Sequence, residues 1–173
     1  LMSAEDNNTP ELGAGQILLQ VNASNRSVRV DNFTVQQAES FSSHFEGATI
    51  PSTWETNDSL QSTIVTESGN NFVQVDNDVE IKPIMTPIQD FTLRARMWST
   101  TGGYELYLRE SSAGSLLMDL DGGNLAITHL DANGSIIWTR RVDNFYTRNV
   151  WQMVEITLIG DKLKIVLEGR IRF

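Results

Sequence analysis

Apolar and polar residues alternate with period two along most of the chain, the mark of half-buried strands. The clearest run is Phe91–Trp98 (FTLRARMW). Phe91, Leu93, Ala95 and Met97 lie on one side of it, and Thr92, Arg94, Arg96 and Trp98 on the other. Tyr104–Glu110 (YELYLRE), Ser115–Leu120, Leu125–Leu130, Ser135–Val142, Val150–Ile159 and Lys162–Glu168 continue the pattern between turns rich in Gly, Asn and Asp. A last short piece runs from Gly169 to Phe173. Upstream, Gln16–Asn22 and Ser27–Gln36 read as strands joined by a polar turn over Asn22–Arg26. Gln61–Glu67 and Asn71–Val75 read as a hairpin around Ser68-Gly69-Asn70. Pro83 and Pro87 mark Val79–Ile84 as an edge strand. Helical spacing is scarce, and Val35–Phe45 fits it poorly. Residues 38–60 form an irregular surface segment that Phe41, Phe45, Ile50 and Trp54 pin to the edge of the core.

Roughly a dozen short strands without helical crossovers predict an all-β chain folded as an antiparallel two-sheet sandwich, with under about 10% helix. Phe91, Leu93, Met97, Leu106, Leu108, Leu116, Met118, Leu125, Ile127, Val154, Ile156, Ile165 and Leu167 are the expected core. The 173 residues suffice for one domain with a sizeable interior, or at most two small ones. The formal charge of −9 argues against a nucleic-acid partner or an anionic membrane surface, and no apolar run is long enough for a membrane helix. The absence of cysteine excludes disulfides and thiolate metal sites. His44 and His129 are the only histidines, too few for a His-rich zinc site. Leu1 in place of an initiating Met fits a processed chain or a piece of a longer one. Six Asn-x-Ser/Thr sequons, at Asn7, Asn22, Asn25, Asn32, Asn57 and Asn133, favour an extracellular or cell-surface location.

The succession DFTLRARMW, GGYELYLRE, LLMDLDGGNLAITHL and WQMVEI, followed by the GDKLKI hairpin, resembles the concanavalin A-like lectin/glucanase superfamily, in particular its laminin-G-like sugar-binding jelly rolls. The resemblance covers most of residues 41–173 and implies a jelly-roll sandwich. In that family two further strands, resembling Gly15–Val21 and Val28–Val35, follow the segment that ends here at Phe173. The chain is accordingly divided into residues 1–37, a strand pair that closes a jelly roll, and residues 38–173, the main sandwich. The closing pair could belong to a tandem array, to a permuted single domain, or to a neighbour that receives it by strand exchange. An ordinary first hairpin is the simpler alternative.

The residues carry little catalytic chemistry. The E-x-D-x-x-E strand of the family's glucanases is absent, so a glycoside hydrolase is the lesser reading and no catalytic residue is assigned. A Ser-His-Asp triad would need His44, in a Ser-rich loop, or His129, at a strand end, and both read as bystanders. Calcium is a candidate cofactor, with Asp119, Asp121 and Asn124 around one turn as oxygen ligands, against ordinary turn chemistry. If Phe91–Trp98 and Tyr104–Arg109 pair as a hairpin, Trp98, Tyr107, Arg94, Arg96 and Arg109 share one surface. Aromatic planes beside arginines suit carbohydrate, since a ring stacks on sugar C–H faces while polar groups read hydroxyls. The competing reading is a solvated sheet with cross-strand ion pairs. Trp54, Trp138 and Trp151 are assigned to the core. The expectation is an extracellular carbohydrate-binding or adhesive module of a repeated surface protein. The alternative is a structural subunit that assembles head-to-tail with copies of itself into a filament.

Overall fold

The computed structural model describes residues 12–21, 26–37, 41–100 and 103–173. The first half of the chain supplies β1 (Gln16–Val21), β2 (Ser27–Gln36), β3 (Phe41–Ser43), β4 (Trp54–Thr56), β5 (Ser62–Glu67), β6 (Asn70–Asp76) and β7 (Val79–Pro83). The second half supplies β8 (Phe91–Ser99), β9 (Tyr104–Ser111), β10 (Gly114–Asp121), β11 (Asn124–Asp131) and β12 (Ile136–Val142). Beyond these come β13 (Gln152–Ile159), β14 (Lys162–Leu167) and β15 (Arg170–Ile171). No helix occurs among the described residues.

The strands form two antiparallel sheets packed as a jelly-roll-class sandwich. The first runs β12-β11-β10-β9-β1-β7-β4, and the second β15-β14-β13-β8-β2-β6-β5, with β3 also paired to β2. All thirteen residues predicted for the core are buried between them. The segment 41–60 is pinned as its aromatics suggest. Phe45 and Trp54 are buried, Phe41 and Ile50 pack on the core, and the Trp54 ring contacts Phe33, Phe41 and Phe45.

Three connections differ from the expectation. First, β1 and β2 do not pair with each other. β1 lies between β9 and β7, and β2 between β8 and β6, so each strand sits inside a different sheet of its own chain. Second, β7 is not an edge. Its outer side is covered by β4, and Pro83, which has no N–H to give, stands at its last position. Third, β8 and β9 are not a hairpin: the chain crosses between them from one sheet to the other. Either arrangement buries the alternate residues of both strands, so alternation alone cannot distinguish a hairpin from an arch. Gly103 marks the crossing. A Cβ there would overlap the Leu120 carbonyl, so only glycine fits so close to β10.

Candidate functional site

The crossover separates the residues predicted to share a surface. Trp98, Arg94 and Arg96 lie on the outer face of the eight-stranded sheet, whereas Tyr107 lies on the outer face of the seven-stranded one. Arg109 is on neither face. It has a φ of 53° and is buried at an irregularity in the β9–β10 pairing, which turns its side chain inward. Its guanidinium donates to the carbonyls of Gln89 at 2.5 Å, Gly160 at 2.8 Å and Leu12 at 3.3 Å, and to the Asp90 carboxylate at 3.2 Å. Arg109 is therefore a tie between loops, and the assignment of Tyr107 and Arg109 to a common surface with Trp98 is corrected.

The eight-stranded face gains residues that the sequence did not point to. Arg29 on β2 stands opposite Trp98 on β8. Its guanidinium lies 4.3 Å from the Trp98 ring and 4.9 Å from the Phe72 ring, within cation–π range of both. Phe72 points outward because its neighbour Val73 pairs with Val30 and faces the core, yet Phe72 is only 1% exposed. Part of its cover is Trp151, whose ring meets it edge-on at 5.2 Å. Trp151 precedes β13 directly. Asn149 N–H donates to the Ser99 carbonyl at 2.8 Å, which brings the incoming loop to the end of β8, beside Trp98. Trp151 is thus half-buried on this outer face, which corrects its assignment to the core. Arg96 lies 5.0 Å from its ring.

Each guanidinium on the face has a carboxylate. Arg94 meets Glu155 at 2.7 Å, Arg29 meets Glu67 at 3.3 Å, and Arg96 meets the buried Asp31 at 3.6 Å. Gln74 and Gln36 accept further bonds from Arg29 and Arg94. The result is an open aromatic surface whose arginines are held in place and locally neutralised.

The opposite face is acidic. Asp119, Glu105, Gln20 and Glu80 fall in one row across β10, β9, β1 and β7. Tyr107 donates to Glu105 at 2.8 Å. Burial, then the bond to Glu105 and the charges of Glu105, Glu110 and Glu80, push the Tyr107 pKa up. Burial and Glu80 raise Glu110 against the pull of Lys82. Burial, Glu105 and Asp121 raise Asp119 against Arg26 and Arg141. Of the residues considered for calcium, Asn124 accepts the Asn144 N–H and Asp121 lies 3.8 Å from Arg26. Among the described residues no group of three or more acidic or imidazole side chains is gathered as a metal site.

The raised Asp119 pKa has a consequence for stability. Its folded-state value lies above the ordinary 3.8, so ionisation costs the fold at every pH above the folded-state value. The cost fades as the pH falls below that value. Asp119→Asn should raise the melting temperature at pH 7, with the gain vanishing as the pH approaches 3.8, as calorimetry across that range would show.

His129 is buried with its ring edge-on to Trp138 at 5.9 Å. His44, read as a bystander, instead contacts both Ser42 and Asn32. Comparison with protein-family models, curated proteins and solved structures finds no match to this chain.

Proposed function

We propose that the protein is an extracellular carbohydrate-binding module, and that its ligand lies on the outer face of the eight-stranded sheet. The observation that carries this reading is the pair of half-buried tryptophans, Trp98 and Trp151, beside arginines already fixed by carboxylates. Such rings can stack on a sugar without first being ordered, and the guanidinium N–H groups and the Gln74 amide can read its hydroxyls. Because Arg29, Arg94 and Arg96 are each matched by a carboxylate, the preferred glycan is neutral and its binding changes little with salt. The sequons at Asn57 and Asn133, both exposed, support a location outside the cell.

A glycan array followed by titration calorimetry tests the proposal. Trp98→Ala and Trp151→Ala should each weaken binding by about tenfold or more, the equivalent of one lost aromatic stacking contact. Both should leave the cooperative unfolding transition in place. An array with no hit above background, or a hit unaffected by both substitutions, would sink it. Particles growing with protein concentration in light scattering would point instead to the filament-forming alternative.

A further inference from the structure

We propose that Ser42 is an activated nucleophile able to cleave small acyl esters, with His44 as its general base and Asn32 and Asp31 as positioning residues. Ser42 Oγ lies 3.3 Å from His44 Nε2, and His44 Nδ1 lies 2.8 Å from Asn32 Oδ1. Asn32 Nδ2 in turn donates to Asp31 Oδ2 at 2.9 Å. The chemistry of this chain fixes its polarity. A carboxylate can only accept, so the amide nitrogen of Asn32 must face Asp31 and its oxygen must face the imidazole. That oxygen can also only accept, so in the neutral ring the proton sits on Nδ1. Nε2 is left with its lone pair toward the Ser42 hydroxyl, the tautomer a general base requires.

The fold holds each member in place. Asp31 is 2% exposed, also accepts from the Asn32 N–H and from Asn70 Nδ2 at 3.0 Å, and forms an ion pair with Arg96. Asn32 occupies the irregularity in β2 between Asp31 and Thr34, with a φ of 51°, a conformation asparagine tolerates. Ser42 and His44 are two residues apart at the end of β3, so they project from the same side. The next residue, Phe45, has a φ of 54° and is 1% exposed against Trp54. Its burial sustains a sparsely populated backbone conformation and fixes where His44 lies.

Ser42 and His44 are both exposed, so the substrate class is a small ester, such as an acetyl group, carried on a larger molecule. Ser42 Oγ attacks the acyl carbon as its proton passes to His44 Nε2. The bond to the alcohol oxygen breaks, and the alcohol leaves with that proton. Water then attacks the acyl-serine, giving a proton to His44. The carboxylic acid departs, and the proton returns to Ser42 Oγ. This inference does not depend on the glycan reading, because its test uses no sugar.

The test treats the full chain with a fluorophosphonate, which phosphonylates activated serines with loss of fluoride, and locates the adduct by peptide mass spectrometry. The expected result is an adduct on Ser42 that is absent in Ser42→Ala. His44→Gln should form it about 100-fold more slowly or worse, as expected for loss of a general base. p-Nitrophenyl acetate hydrolysis should fall in parallel. Both substitutions are at exposed positions, and an unchanged melting transition verifies their folding. A folded wild-type chain with no adduct on Ser42, or an equal rate in His44→Gln, would overturn the proposal.

Discussion

A chain lacking residues 1–37 should fail to fold. The deletion removes a strand from inside each sheet. It leaves β7-β4 detached from the rest of one sheet and β6-β5 detached from the rest of the other. It also takes Ile17, Leu19, Val21, Val28, Val30, Phe33 and Val35 out of the core. At about 1.5–3 kcal/mol per buried aliphatic or aromatic side chain, the loss is on the order of 10–20 kcal/mol, as large as the whole stability of an ordinary domain. The exposed edges of β8 and β9 would then invite aggregation. The expected outcome is an insoluble product, or one without near-ultraviolet circular dichroism or a cooperative melt. A soluble monomer as stable as the full chain would refute the account of the core.

Arg109→Met should be the most damaging single substitution among the arginines. Methionine fills much of the volume, but leaves three backbone carbonyls and Asp90 without the guanidinium that joins them. A buried acceptor left without its donor costs about 1–3 kcal/mol, and the loss over these carbonyls should lower the melting temperature of a domain of this size by about 10 °C. Arg109→Lys should recover little, since a single ammonium cannot span acceptors arranged for a planar fork. Thermal melts of the two variants decide the point. Arg94→Ala, which opens an exposed ion pair and an exposed bond to Gln36, should by contrast shift the melt by a degree or two.

Much of the fold was legible because alternation carries it. Strands such as Phe91–Ser99 bury every second residue, and their core members were identifiable from the sequence alone. The three-residue strands β3 and β4 are too short to show a period, and residues around them read simply as an irregular segment. Arg109 was misplaced because parity counting assumes an unbroken strand. The irregularity at its position turns a nominally outward residue into an inward one. Trp98, Arg94 and Arg96 were placed correctly on one face, since all three lie on a single strand. Tyr107 was not, because its relation to Trp98 depends on how the chain travels from β8 to β9. Trp151 lies just outside its strand, where alternation does not assign a side. The spacing of Ser42 and His44 could be read directly, but their link to Asn32 runs through the β2–β3 pairing and has no local signature.

The interior position of the first two strands also governs the order in which the molecule can be built. Leu19 finds its neighbour at Leu106, and Val35 finds its neighbour at Leu93. On a ribosome the central strands therefore emerge long before the strands that flank them on one side. The seven-stranded sheet cannot be completed until the chain has been extended through β12, nor the eight-stranded sheet until it has reached β15. Closing loops of that length costs entropy before any contact repays it, so folding should be slow for a domain of this size, with a late transition state. During that interval β1 and β2 are apolar and only partly paired. A holdase that shelters nascent apolar segments would raise the yield of this protein more than it would raise that of a sandwich assembled from successive hairpins.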